Sequence, residues 1–220
     1  MIRLHHVAAS RSFRVLWMLT EMGLDCEIIP YAIPDGSMRT PEFLAKSPAG
    51  RVPALELDGR VIFESGAIME YLAETRPDHG FGRAPGHEER ADYLMWMHFA
   101  ETQAHILANL NLQHIFLRNA SMRSPTVLKI EARRLESTLA VIEQALDGRE
   151  WLLAGGFSAA DMMMGFNLFA APYYARMNAF PNVRAYCDRM VAREGYAKAR
   201  ALDGAQDFYT RDFYPFDNAE

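Results

Sequence analysis

Residues 2–7 alternate in part between apolar and polar, the period of a half-buried β-strand. From 12 to 22 the period becomes helical. Phe13, Leu16, Trp17 and Leu19 share one face, and Gly23 stands where a left-handed residue would end the helix. Residues 26–31 are rich in β-formers and predict a second strand, after which Pro34-Asp35-Gly36 breaks the chain. Thr40-Pro41-Glu42 suits a helix start, with Thr40 as N-cap and Pro41 in the first helical position. Val52-Pro53-Ala54-Leu55-Glu56-Leu57 and Arg60-Val61-Ile62-Phe63 then flank Asp58-Gly59. That pair can supply the positive φ angles of a type I′ turn, so the segment predicts a hairpin. Glu64-Ser65 opens a helix to about Thr75, with Ile68, Tyr71 and Leu72 on one face. The predicted order is βαβ, a short helix, then ββα.

Residues 76–88 hold two prolines and three glycines and read as a linker. The expected division is a first domain at 1–77, a linker at 78–87, and an all-helical domain with an aromatic tail at 88–220. In the second domain the pattern predicts one long helix or a kinked pair over 88–118. Ser124-Pro125 starts another helix, with Leu128, Leu135, Leu139, Ile142 and Leu146 on one stripe, ending at Gly148. Further helices start at Ser158 and near Phe180-Pro181-Asn182, and the tail over 208–216 reads as irregular. Ser158-x-x-Asp161 is a capping box with Asp in place of Glu, flanked by Phe157 and Met162 at the positions of a hydrophobic staple. Its expected role is structural.

Half the residues are hydrophobic and 23% charged, enough for packed cores and against disorder. Apolar runs stay far short of the ~20 residues that span a bilayer, and the first residues lack a signal-peptide core. A cytoplasmic protein without a membrane partner is expected. The net charge of −5 argues against a nucleic-acid partner, so an anionic ligand would have to be met by a local group of arginines. The two cysteines, Cys26 and Cys187, form no CxxC. His98 and His105 share a helix face but stand ~10 Å apart along its axis, too far for one ion, so no metal site is expected. With Glu101 and Thr102 they make a polar stripe on an apolar helix, and Met162 to Met164 read as core filler.

Four motifs carry a resemblance over nearly the whole chain: Ser10-Arg11-Ser12-Phe13-Arg14-Val15-Leu16-Trp17, Pro48-Ala49-Gly50-Arg51-Val52-Pro53-Ala54-Leu55, Phe63-Glu64-Ser65-Gly66-Ala67-Ile68, and Phe157-Ser158-Ala159-Ala160-Asp161. In this order and at these separations the chain resembles a cytosolic glutathione transferase, with a serine-bearing first helix similar to theta-, delta- and phi-like members. The resemblance implies an α/β thioredoxin-like N-terminal domain followed by an all-α C-terminal domain.

It also implies site roles. Pro53 is similar to the family's cis-proline, which would leave the Val52 N–H and C=O free to pair with an extended tripeptide. A proline opening an edge strand needs no ligand, so a purely structural role is also open. Ser65 and the amides beside it would bind the γ-glutamyl carboxylate of glutathione, where a helix N-terminus already favours an anion, and Glu64 would face the ammonium. Ser65 can equally cap the helix. Arg39 and Arg51 are the candidates for the glycine carboxylate, since arginine can bind it bidentately. Ser10 is the candidate catalytic residue: a hydroxyl donating to sulfur stabilises the thiolate, which is the nucleophile. Ser12 is the rival, and is also placed to cap the helix.

The implied function is conjugation of glutathione, a co-substrate, to a small hydrophobic electrophile, with no bound cofactor and with a homodimer expected. Ile68, Met69 and Leu72 are the apolar residues that suggest the dimer surface. The same fold also serves glutathione-dependent isomerases, dehalogenases and non-catalytic interaction proteins. A disulfide reductase is disfavoured because the first motif has no cysteine.

Overall fold

The computed structural model describes residues 1–216, so the last expected residues of the second domain, 217–220, lie outside the described residues. The chain forms two compact units. One comprises Met1–Arg90 and Val191–Gln206, the other Ala91–Met190 and the chain from Asp207 onward. Residues 78–87, expected as a linker, therefore belong to the first unit, and a late segment returns to it.

The first unit is built on strands β1 (Arg3–His6), β2 (Glu27–Pro30), β3 (Ala54–Leu57) and β4 (Arg60–Phe63), in the order β2-β1-β3-β4. β1 runs parallel to β2 and antiparallel to β3. The hairpin forms as expected, with Asp58 and Gly59 at φ 52° and 76°, which glycine adopts freely and Asp tolerates. Successive strand residues face opposite sides. His5 and His6 are both buried, so β1 is covered on both faces. On one side His5 meets Tyr31, Phe43 and Glu56. Helix α2 (Pro41–Leu44) supplies Phe43, and Thr40 caps it by accepting from the Phe43 amide.

On the other side lies α1 (Ser12–Glu21), buried continuously from Ser12 to Leu19. A helix buried all round needs more than one neighbour. α3 (Ser65–Thr75) packs on it, and so does α8 (Glu194–Asp203), a helix that the sequence pattern did not predict. No proline announces the start of α8, and its glycine sits inside the first turn. Gly195 is there for closeness: a Cβ at that position would lie 2.5 Å from Glu21 Cδ. The contact is completed by Tyr196 edge-on to Trp17 and by Arg193, which donates twice to the Glu21 carboxylate at 2.8 Å. Ile68, Met69 and Leu72 are fully buried in this unit, so they form core and not a dimer surface.

The second unit is helical: α4 (Arg90–Asn111) running into a π-helical turn (Leu112–Phe116), α5 (Pro125–Ala145), α6 (Ala159–Ala170) and α7 (Pro181–Val191). Ser124 caps α5 by accepting from the Val127 amide, with Pro125 at the first helical position. Leu135, Leu139 and Ile142 join Met162, Met163 and Met164 in a core from which solvent is excluded. Asp161, also fully buried, completes the expected capping box of α6. The tail over 208–216 is irregular, held by Tyr209 stacked on Tyr173 at 3.9 Å and by the Tyr214 amide donating to Tyr173 O. Among the described residues no helix is long and apolar enough to cross a membrane.

Candidate functional site

Four segments of the first unit hold the sequence-predicted site residues: the turn between β1 and α1, the turn Ser37–Arg39 before α2, the chain leading into β3, and the start of α3. The first turn is tight. Ala9 has φ 55°, unusual for a residue with a Cβ, and its amide donates to Asp203 of α8 at 3.2 Å. The Ser10 amide closes the turn on Val7 O at 3.2 Å. Arg11, not Ser12, is the N-cap of α1, and it makes no side-chain cap bond. Ser10 Oγ instead accepts from the Ser12 amide at 3.2 Å.

The two rival serines differ in access. Ser12 is fully buried, whereas Ser10 is half-buried. Their hydroxyls are 2.8 Å apart. Behind Ser12, its Oγ lies 2.8 Å from His6 Nδ1, and His6 Nε2 lies 3.1 Å from Asp203 O and 3.3 Å from Asp203 Oδ1. This chain of buried groups was not legible beforehand. His6 reads as a strand residue, and Asp203 lies in a helix that the pattern did not show.

At the start of α3, Glu64 is the N-cap and holds φ 73°, a backbone conformation that side chains other than glycine rarely adopt. Such outliers gather at ligand sites, where the surrounding fold enforces them. Glu64 is exposed and Ser65 is buried. Ser65 Oγ accepts from Arg14 Nη1 at 3.0 Å. Arg14 is itself fully buried within α1, so it fastens the first turn of α3 to the helix that follows Ser10. A guanidinium only donates, so the Ser65 hydroxyl keeps its own proton to give. Arg14 belongs to the first motif, but its burial, invisible in sequence, is what makes it matter.

The Val52–Pro53 bond is cis, with Pro53 buried at the start of β3 and Val52 half-exposed. Arg39 and Arg51 are both exposed. A Cβ on Gly50 would lie 3.1 Å from Arg39 Nη1, so the Arg39 guanidinium reaches the residue next to Arg51. The Arg39 guanidinium thus lies against Gly50, beside Arg51 in sequence, and Ser65 is tied to α1 through Arg14.

In the second unit His98, Thr102 and His105 are exposed along α4 and Glu101 is half-buried. His105 approaches Asn109 at 3.3 Å. Among the described residues no group of three His, Cys, Asp or Glu side chains could hold a metal ion. Cys26 and Cys187 are both free thiols. Burial, reinforced by Asp25 and Asp188 respectively, pushes both up, Cys187 to about 12.

A mixed sheet of this order, with a cis-proline opening β3 and two helix starts carrying hydroxyls, defines a thioredoxin-like domain; the remaining helices complete an all-α partner. Residues 1–74 match the family Glutathione S-transferase, N-terminal domain, and residues 125–189 match Glutathione S-transferase, C-terminal domain. The chain is 32% identical over 200 residues to Glutathione S-transferase 3 of Schizosaccharomyces pombe, covering 84% of this chain and 81% of that one. A glutathione transferase of Methylococcus capsulatus superposes with TM-score 0.82 at 26% identity, covering 92% of this chain and 98% of the other. The glutathione transferase URE2P8 of Phanerochaete chrysosporium, solved with oxidized glutathione, shares the fold at TM-score 0.82 and 24% identity, over 92% of this chain and 94% of that one. The chain belongs to the glutathione transferase superfamily, and it is an enzyme whose general reaction is conjugation of glutathione.

Proposed function

We propose that glutathione lies along the Val52-Pro53 segment and that Ser10 stabilises its thiolate for attack on a small hydrophobic electrophile. The γ-glutamyl carboxylate sits at the Ser65 hydroxyl and the first amides of α3, with Glu64 toward the ammonium. Arg39 and Arg51 meet the glycine carboxylate. The observation that carries this assignment is the difference between the serines: at 0% exposure Ser12 has no surface to offer a ligand, while Ser10 does. The enzyme's contribution is a stabilised nucleophile and proximity; no metal or bound organic cofactor enters the reaction as proposed. A cytoplasmic location and a homodimer are proposed on family membership alone, since Ile68, Met69 and Leu72 are core.

The test is Ser10→Ala. The hydroxyl bonds a thiolate more strongly than a thiol, so its loss raises the bound thiol's pKa. A charge-assisted bond is worth about 1.5–3 kcal/mol, or roughly tenfold to a hundredfold in rate where chemistry limits. The loss is expected to be full at neutral pH and to shrink as bulk base makes the thiolate. Ultraviolet absorbance of the thiolate, titrated in the glutathione complex, reads this directly. An unchanged titration in Ser10→Ala removes Ser10 from the mechanism.

A further inference from the structure

The buried groups behind Ser10 have a donor order that can be worked out. His6 Nε2 faces only acceptors, Asp203 O at 3.1 Å and Asp203 Oδ1 at 3.3 Å, so it carries a hydrogen in either charge state of the ring. In the neutral ring Nδ1 is then an acceptor. Ser12 Oγ, 2.8 Å away, donates to it. Ser12 has one proton, and the alternative acceptor, Val7 O, is farther at 3.2 Å. With that proton committed to His6, Ser10 must be the donor across the 2.8 Å gap between the hydroxyls. With one lone pair already accepting from the Ser12 amide, Ser10 then presents its remaining lone pair, not a proton, to whatever lies outside. That polarity suits a thiol S–H and is wrong for a thiolate.

We propose that Ser12, His6 and Asp203 form a proton relay behind Ser10, which draws the proton from the bound glutathione thiol and stores it on His6. This rests on Ser10 facing the sulfur. The step moves three protons by one position each. The S–H proton passes to Ser10 Oγ, the Ser10 proton to Ser12 Oγ, and the Ser12 proton to His6 Nδ1. Its products are a thiolate and an imidazolium, the latter with Nε2–H against the Asp203 carboxylate. Neither serine changes charge. The three hydrogen bonds from sulfur to His6 Nδ1 have reversed while Nε2–H still donates to Asp203, so Ser10 now donates outward to sulfur, as a thiolate requires. Ser12 Oγ stays satisfied in both states, because the Val7 amide donates to it at 3.2 Å throughout. After sulfur bonds carbon, the stored proton returns along the same path to water or to the departing group. His6 acts through the two serines and is a positioning residue and proton store.

The charged surroundings of His6 are few. α8 brings Asp203, with Arg200 paired to it. α1 brings Ser12; its buried Arg14 is bonded to Ser65 and its Glu21 to Arg193. β2 brings Glu27, paired with Arg3, and β3 brings Glu56, paired with Lys46 and with His5 of β1 itself. Asp203 is the carboxylate within 3.3 Å of the ring, so it is the group that would balance the stored charge.

The experiment uses ¹⁵N-histidine protein at a pH where His6 is neutral in the ligand-free spectrum. Glutathione is added in one arm and S-methylglutathione, which has no S–H, in the other. Glutathione is expected to convert His6 to the doubly protonated ring while thiolate absorbance appears, and S-methylglutathione is expected to leave it neutral. Ser12→Ala should bind glutathione yet leave His6 neutral, with kcat down roughly a hundredfold and KM little moved. Ser12→Thr, which keeps the hydroxyl, should restore both. If thiolate absorbance appears while His6 stays neutral, the relay is overturned and the Ser10 assignment survives. Conversion by both ligands equally also overturns it, since the proton then does not come from sulfur. If calorimetry shows that neither ligand binds, the glutathione assignment fails and the relay falls with it. The wild-type arms need no variant to fold.

Discussion

Two buried aspartates, one in each unit, are held in opposite ways. Asp161 accepts from uncharged donors only among its named partners: the Leu152 amide at 3.0 Å, the Ser158 amide at 2.7 Å and hydroxyl at 3.0 Å, and the Tyr186 hydroxyl at 2.7 Å. Both of its oxygens are used, and none of these groups belongs to the proposed site. Asp203 meets His6, the Ala9 amide and Arg200. Two of its partners flank the turn that presents Ser10. Burial raises the Asp161 carboxyl, its donors offset only part of that, and those hydrogen bonds fix the start of α6. Asp203 faces a ring that can gain and lose a proton. A buried carboxylate ringed by neutral donors is a fastening, and one set against an imidazole can also take part in chemistry.

The same isosteric change separates the two. Asp161→Asn turns one oxygen into a donor that must face other donors in a site closed to solvent. Each unmatched buried group costs about 1–3 kcal/mol, so a loss of about 3 kcal/mol of stability is expected, with glutathione conjugation per folded molecule unchanged. Asp203→Asn should also lose stability, since that buried carboxylate too meets only donors, the Ala9 amide, Arg200 and His6 Nε2–H, but unlike Asp161→Asn it should lower kcat per folded molecule about tenfold or more, because it removes the charge that balances His6. Urea unfolding and steady-state kinetics on both variants check this. Equal loss of stability with unchanged kcat at Asp203 would make it a fastening like Asp161.

The two aspartates also show what a sequence can reveal. Asp161 stands beside its cap: its partners Ser158 and Leu152 are three and nine positions away, so Ser158-x-x-Asp161 was visible as a motif. Asp203 meets Ala9 and His6 across 194 and 197 positions, and nothing local marks that pairing. The same rule covers the rest. The hairpin and the caps at Thr40 and Ser124 are local patterns and were legible, whereas Ser10, Pro53, Glu64 and Ser65 were marked by the family resemblance. The burial of Arg14, the packing of the Ile68, Met69 and Leu72 face into this unit's own core instead of against a partner, and the return of α8 to the first unit are tertiary, and periodicity does not decide them.

A smaller effect is expected where the site meets its ligand through one neutral hydroxyl. Ser65→Ala removes the proposed donor to the γ-glutamyl carboxylate and an acceptor for the buried Arg14, though the α3 amides remain. Glutathione affinity should fall by about 1–3 kcal/mol, read by calorimetry. Some stability should also be lost, because Arg14 loses its Ser65 bond in a place where it is fully buried. That sets Ser65 between the two aspartates: part ligand contact, part fastening. Wild-type affinity in a folded Ser65→Ala protein would leave only the fastening.

The smallest effect is expected at the cysteines, where burial acts on groups that neither fasten nor react. A thiol is nucleophilic only as thiolate. Burial disfavours the charged form, so the Cys187 thiol is pushed up to about 12 and the Cys26 thiol upward as well. At neutral pH both therefore stay protonated. Neither is close in sequence to Ser10, and neither makes a disulfide. The only thiolate in the proposed mechanism belongs to glutathione. A double Cys26→Ala, Cys187→Ala variant should keep the wild-type kcat and the wild-type pH profile of conjugation. Stability should fall by about 1 kcal/mol or less at each half-buried site, as for other modest losses of apolar packing. The decisive measurement is the pH profile, since it follows the ionising thiol whatever the stability. A profile that shifts, or activity that vanishes in the folded double variant, would put a protein thiol in the reaction and displace Ser10, with the relay behind it, from the chemistry.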